Sequence, residues 1–259
     1  MGFVMKKLIP LLSLLCISAS LHSYSQTLSD GLVAHYLFDG DANDSSGYGN
    51  HGTVSGVIPS LDRFGNPNSA YYFAGNGEHV AVADSPSLDT TTALTLSVWV
   101  NVQPGGLFQP RILHKHTFDL GLVDTSGSAQ LFAHIQNYPS GGASLVTSPL
   151  PSAQWISLVV TYDQQTFSFF TNGVIAAQIN TTVPIDQNDL PIGIGRNLET
   201  GTDWFSGYID DVRIYNRALA LGEVQTLYQI ESVPEPTTFA LLSLGLVLSV
   251  KRSPYRNRR

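Results

Sequence analysis

The sequence predicts an all-β domain built as a two-sheet antiparallel β-sandwich with one short C-terminal helix, and two observations carry that prediction. Between Leu28 and Ile230 charged residues are sparse, and Gly, Ser, Thr and Asn interrupt short β-rich runs at intervals of about ten residues. More than about ten such runs cannot stay in one flat sheet, so two packed sheets follow. There is no regular alternation of strand and helix, and no repeat of fixed period.

The expected strands cover residues 32–38, 70–74, 79–83, 94–102, 111–114, 118–123, 129–135, 156–162, 166–171, 174–179 and 208–215. In the fourth of these, Leu94, Leu96, Val98 and Val100 share one face while Thr95, Ser97 and Trp99 share the other. A strand of this kind packs its apolar face on a second layer. Asn172-Gly173 separates two strands and supplies the pair of positive-φ residues that a type I′ hairpin needs. Trp99 and Trp155 lie on strands and are expected in the core. A helix is expected over residues 219–229, with Leu219, Val224, Leu227 and Tyr228 on one side.

The two ends read differently from the middle. Lys6-Lys7, an apolar run to Ile17 and then Ser23-Tyr24-Ser25-Gln26 form a secretory signal peptide over residues 1–25. Cleavage is expected after Ser25, with Ser20 the nearest alternative; Leu15 before Cys16 argues against a lipoprotein. Cys16 is the only cysteine and leaves with this segment, so the mature domain has no disulfide and no thiolate chemistry. A single core of roughly two hundred residues supplies stability instead.

The formal net charge of −7 conceals an asymmetry. Seven of the thirteen basic residues lie in the leader and the last nine positions, which leaves six against all twenty acidic residues in between. Such a surface repels phosphate backbones, so no nucleic acid is expected as a partner. It suits solubility and divalent cations.

Several segments now fall into a recognisable order. Gly31-Leu32-Val33-Ala34-His35-Tyr36-Leu37-Phe38 leads into Asp44-Ser45-Ser46-Gly47-Tyr48-Gly49-Asn50-His51-Gly52, followed by Asp62-Arg63-Phe64-Gly65 and Ser69-Ala70-Tyr71-Tyr72-Phe73. Leu96-Ser97-Val98-Trp99-Val100, the strand from Trp155 to Asp163 and the Thr171-Asn172-Gly173 turn come next. Phe205-Ser206-Gly207-Tyr208-Ile209-Asp210-Asp211-Val212-Arg213-Ile214-Tyr215-Asn216-Arg217-Ala218-Leu219 closes the series. Together they resemble the laminin G-like domain, a concanavalin A-like jelly roll, over residues 27–231. The resemblance departs at Ala220, where the family offers a Ser or Thr to cap the helix; a lost cap costs on the order of 1 kcal/mol.

Residues 233–259 resemble a second signal. Val233-Pro234-Glu235-Pro236 precedes an apolar stretch from Phe239 to Val250 and a basic cluster starting at Lys251-Arg252. This order resembles the PEP-CTERM sorting signal of Gram-negative bacteria, which implies processing by exosortase. About twelve apolar residues are short of the roughly twenty of a spanning helix. A transient contact with the inner membrane before processing is expected rather than a permanent transmembrane helix.

Asp39, Asp41 and Asp44 fall in a Gly/Ser/Asn-rich turn, and Asp210 is expected on one strand face with Tyr208, Val212 and Ile214. A carboxylate on such a face must be hydrogen-bonded, protonated or bound to a cation. The laminin G resemblance implies a structural Ca²⁺ ion with Asp44, Asn50 and Asp210 as ligands, since Ca²⁺ takes six to eight oxygens from flexible loops. An Asx-turn at Asp44 and backbone hydrogen bonds at Asp210 are the alternative. Asp211 is expected to be solvated. His114 and His116 share a strand face as a possible metal pair, but no third ligand is evident, and a solvated edge is expected.

Sugar-binding platforms combine aromatics with amides and carboxylates. Trp204 and Tyr138 are the ligand-binding candidates, with Phe108 in another expected loop; packing at the rim of the sandwich is the alternative for each. Catalysis is not expected. The five Glu residues form no paired-carboxylate strand pattern, and there is neither a nucleophile elbow nor a phosphate-binding loop. The sequence therefore reads as a non-catalytic extracellular recognition or adhesion module for glycan or exopolysaccharide matrix, exported by the Sec route to the cell surface. A structural matrix protein making only protein contacts is the alternative, and a divergent polysaccharide hydrolase or lyase the third.

Overall fold

The computed structural model describes residues 28–103, 109–124, 129–137, 141–149, 151 and 153–234. The leader, Phe108, Tyr138 and the apolar part of the sorting tail lie outside the described residues. The strands are β1 (Leu32–Tyr36), β2 (Gly52–Ser55), β3 (Ile58–Ser60), β4 (Ala70–Ala74) and β5 (His79–Val82). They continue with β6 (Leu94–Val102), β7 (Arg111–Lys115), β8 (Phe118–Asp124), β9 (Ala129–Asn137) and β10 (Gly141–Pro149). The last are β11 (Trp155–Tyr162), β12 (Thr166–Thr171), β13 (Val174–Asn180), β14 (Ile192–Ile194) and β15 (Ser206–Tyr215), followed by helix α1 (Leu221–Glu231).

The predicted sandwich forms. One sheet of eight strands runs β13-β12-β11-β6-β15-β4-β3, with β1 also paired to β15. The other, of seven strands, runs β10-β9-β8-β7-β14-β5-β2. All pairings are antiparallel, and sequence-distant strands meet at the centre: β6 lies between β11 and β15. Leu96, Val98 and Val100 of β6 meet Ile112, Leu120, Leu131 and Ile135 of the opposite sheet in one core. Each fully buried side chain of this kind contributes ~1.5–3 kcal/mol through removal from water. Asn172 and Gly173 take φ of 49° and 74°, the expected hairpin geometry between β12 and β13.

Four strands were not expected: β2, β3, β10 and β14. Two are three residues long, and β10 carries Gly, Ser and Pro that mask the alternation of Ala143, Leu145 and Thr147 into the interior.

The outer face of the eight-stranded sheet is partly roofed by α1. Val224 and Leu227 of the helix pack with Leu219, Val159, Phe170 and Tyr215 in a second, smaller core. The helix starts without a capping side chain at Ala220, as expected. Glu223 supplies a substitute by accepting the Ala220 N–H at 2.8 Å while pairing with Arg217.

Three expectations for this face are corrected. Asp211 adopts φ of 51°, and the register of β15 against β6 shifts between Asp210 and Arg213. This bulge turns Val212 and Ile214 into the core while Tyr208 and Asp210 stay outside, and it buries Asp211 instead of solvating it. Trp99 is buried beneath α1, where it stacks on Tyr228, but Trp155 is only half-buried on the open part of the same face. Among the described residues no helix is long and apolar enough to cross a membrane.

Candidate functional site

Strand alternation sends every second residue of β7, β8, β9 and β10 out of the seven-stranded sheet, and there the chain places polar groups. Asp119 is their hub. Its Oδ1 accepts from Arg111 Nε at 3.0 Å and lies 2.5 Å from His114 Nδ1, and Oδ2 accepts from Gln136 Nε2 at 3.2 Å. Burial pushes the Asp119 carboxyl up, but the His114 hydrogen bond and the Arg111 charge outweigh it and hold the group below the usual range. The Arg111 guanidinium also lies 4.8 Å from the centroid of the half-buried Phe132 ring. Next to it, His134 meets Ser144 Oγ at 2.9 Å, and burial lowers its pKa despite the pull of Asp119.

The loop of residues 195–205 folds onto this face. Gly193 makes the approach possible, because a Cβ there would stand 2.2 Å from the Arg196 carbonyl oxygen. The loop is internally tied: Asn197 Oδ1 accepts the N–H groups of Glu199 and Thr200, and Arg196 donates to the Gly77 and Gly201 carbonyls. Glu199 is thereby held against both imidazoles, its Oε1 3.1 Å from His114 Nε2 and its Oε2 3.1 Å from His116 Nδ1. The result is a set of fixed donors and acceptors around an aromatic ring, suited to reading hydroxyl groups.

Sequence reasoning missed Arg111, Asp119, Gln136 and Glu199. The alternation of β8, with Phe118, Leu120 and Leu122 inward, was enough to mark Asp119 as an outward acid. No local signal could bring Glu199 to His114 across 85 positions. His114 is accordingly buried, not on a solvated edge. Trp204 sits in the same loop as Glu199, half-buried beside Gly77, with its indole N–H donated to the Gly201 carbonyl at 3.0 Å.

Asp44 and Asn50 are brought together in the loop after β1. Asp44 Oδ1 accepts from the His35 and Ser46 N–H groups, and Oδ2 from Ser46 Oγ and the Asn50 N–H. Burial pushes this carboxyl up, yet those bonds hold it below the usual range. The Asn50 amide donates to the Val33 carbonyl and Ser87 Oγ, and its oxygen accepts from Ser85 Oγ. A carboxylate offers about four acceptor positions, and all of those on Asp44 face hydrogen atoms.

Asp210 is engaged elsewhere. Arg63 donates to its Oδ2 at 2.5 Å, to Asp211 Oδ2 at 3.2 Å and to the Glu231 carbonyl at 2.8 Å. The guanidinium is stacked between Trp99 and Phe64, with its central carbon 4.7 and 4.8 Å from the two ring centroids. The partner that this buried carboxyl group requires is therefore an arginine of this protein. Asp44, Asn50 and Asp210 do not fit a Ca²⁺ ion in this arrangement. Among the described residues no group of three or more His, Cys, Asp or Glu could hold a metal.

Two antiparallel sheets over one core, with a polar array on an outer sheet face, define a jelly-roll β-sandwich. The chain belongs to the concanavalin A-like lectin/glucanases superfamily, whose family model matches residues 74–225. Residues 232–256 match the PEP-CTERM protein-sorting motif. No curated protein matches the chain.

Solved structures share the fold at low identity. Domain 4 of AbnA, a GH43 extracellular arabinanase from Geobacillus stearothermophilus solved with arabinotriose, is 22% identical, with a TM-score of 0.60 over 76% of this chain and 98% of that one. The binding domain of Paraclostridial Mosquitocidal Protein 1 is 19% identical, with a TM-score of 0.62 over 78% of this chain and 52% of that one. A botulinum neurotoxin type C structure, from work linking cell entry to two ganglioside molecules, is 16% identical, with a TM-score of 0.61 over 79% and 52%. The match thus spans about half of each toxin chain and nearly all of the arabinanase domain.

Proposed function

We propose that this protein is an extracellular, non-catalytic carbohydrate-binding module that holds polysaccharide on the outer face of its seven-stranded sheet. The carrying observation is the array of Arg111, His114, Asp119 and Gln136 fixed beside the Phe132 ring, with Glu199 brought in from the 195–205 loop. The half-exposed ring offers a surface for a sugar's apolar face, and the ordered polar groups offer partners for its hydroxyls. Trp204 forms a rim of the site in this reading.

Binding rather than hydrolysis is supported by the state of Asp119. A glycosidase needs one carboxyl group with a raised pKa to protonate the leaving oxygen. Here the guanidinium and the imidazole keep the carboxylate ionised. The fold relatives named for binding arabinotriose or gangliosides are consistent with this class of ligand. In the same proposal the protein is exported and directed to the cell surface by its PEP-CTERM motif through exosortase, and it grips matrix polysaccharide there.

Affinity electrophoresis of the full chain in gels containing arabinan, xylan, mannan or polygalacturonate tests the proposal. At least one polymer should retard the protein, and Phe132→Ala or Gln136→Ala should weaken that retardation about tenfold without lowering the melting temperature appreciably. Unretarded migration in every gel, or retardation indifferent to both substitutions, would overturn the assignment. Release of reducing ends from any polymer would overturn its non-catalytic part.

A further inference from the structure

The registers of five neighbouring strands of the other sheet place five residues in one line across its outer face. Ile58 of β3 is opposite Tyr72 of β4, Tyr72 opposite Tyr208 of β15, Tyr208 opposite Asn101 of β6, and Asn101 opposite Trp155 of β11. At ~4.8 Å between strands the line is about 19 Å long, the reach of a short oligosaccharide rather than a single ring. Tyr72 and Tyr208 have ring centroids 4.9 Å apart, and Trp155 and Tyr208 6.1 Å, with interplanar angles of 44° and 51°. The three rings are half-buried, and Ile58 at the edge is 54% exposed.

Two features fit this line to an uncharged ligand that carries hydroxyl groups. First, it contains no charged side chain, although the chain as a whole is acidic and the next line on the same face carries Asp210. That carboxylate is paired with Arg63 near the end of α1. Second, the polar tips of the rings are unspent. Neither the Tyr72 and Tyr208 hydroxyls nor the Trp155 indole N–H has a hydrogen-bond partner among the described residues. Asn101 Oδ1 accepts from Gln103 Nε2 at 3.2 Å, which leaves the Asn101 amide N–H₂ directed to nothing in this line. Rigid aromatic faces with polar tips and amides between them complement a chain of uncharged sugars, which alternates C–H faces with hydroxyl edges.

We infer that this line is a second binding strip, specific for a neutral polysaccharide, on the sheet opposite the site already proposed. Neutrality follows from the absence of charge in the strip, and extended length from its span. With sites on two opposite outer faces, one domain bridges two polysaccharide strands. The strip stands whether or not the seven-stranded face binds sugar.

The test uses the full chain and neutral and charged polymers in parallel: arabinan and mannan against polygalacturonate. Trp155→Ala and Tyr208→Ala should each reduce retardation by the neutral gels about tenfold, and Phe132→Ala should leave that component in place. Tyr72→Thr, a strand-compatible change at the more open end, should reduce it several-fold and serves if the other variants unfold. Neutral-gel retardation equal in wild type and folded Tyr72→Thr or Trp155→Ala would overturn the strip. So would a wild type that no neutral gel retards. A strip-dependent dimer in sedimentation, or strip-dependent binding to phosphatidylcholine vesicles without polymer binding, would replace it with a self-association or lipid surface.

Discussion

Trp99 donates its indole N–H to Glu231 Oε2 at 2.7 Å, joining a central strand of the sandwich to the last residue of the only described helix of this length. The pair is buried, and the same carboxylate is ion-paired with Arg213. Glu231→Ala removes both links and leaves the Arg213 guanidinium with Asp211 as its remaining carboxylate partner. A loss of about 3–5 kcal/mol is expected, read as a lower urea midpoint at an unchanged slope. Glu231→Gln keeps an acceptor for Trp99 and should cost less.

The carboxylates beside Arg63 also set a dependence on pH. Burial, only partly offset by Arg63 and aggravated by Asp211, raises the Asp210 pKa to about 8 from an ordinary 3.8. The folded protein then holds a proton that the unfolded chain has released, so stability falls as pH rises through this window. His35 acts in the opposite sense. Burial lowers its pKa, and its contribution is lost as pH falls below the ordinary 6.5. Between pH 6.5 and 8 Asp210 therefore acts without opposition from His35. The stability of wild type should decline there by up to ~1.4 kcal/mol per pH unit, whereas Asp210→Asn, which imitates the protonated acid, should give a flatter profile.

Calcium should leave the melting temperature unchanged, in millimolar Ca²⁺ as in EDTA, because Asp44 already faces four hydrogen-bond donors and Asp210 a guanidinium. Asp44→Ala should still destabilise by about 2 kcal/mol or more, since it strips acceptors from buried N–H groups. Differential scanning calorimetry with and without the ion distinguishes this hydrogen-bonded loop from a metal loop. A calcium-dependent rise that disappears in Asp44→Ala would contradict it.

Gly193→Ala would place a methyl group 2.2 Å from the Arg196 carbonyl oxygen and 2.9 Å from Leu198 Cγ. The 195–205 loop must then lift, taking Glu199 away from His114. A destabilisation of ~1–3 kcal/mol is expected from the overpacking, together with a shift of the His114 ring resonances in NMR. An unchanged His114 signal would show that the loop is not held by this close approach.

Much of this architecture is legible in the chain. The alternation of Leu94, Leu96, Val98 and Val100 fixes which face of β6 is inward, and Asn172-Gly173 locates the hairpin. Parity counting fails at Asp211, because one residue in a left-handed conformation reverses the faces of everything after it. That reversal is why Asp210 shares its side with Tyr208 but not with Val212. The two proposed binding faces are harder still. Asp119 is visible as an outward acid in an apolar strand, but Glu199 and Arg63 reach their partners only through tertiary folding. The line of Tyr72, Tyr208 and Trp155 exists only once β4, β15, β6 and β11 lie side by side.

The position of Glu231 has a mechanical consequence. The sorting motif begins at residue 232, directly after the carboxylate bound to Trp99 and beside the carbonyl bound to Arg63. Any tension applied through the tail meets this knot before it meets a strand. Trp99 lies on β6, between β11 and β15 in the middle of the sheet, so the load is delivered to the interior of the sandwich and not to an edge that could peel. The C-terminal end of the domain is thus fastened to the centre of its eight-stranded sheet.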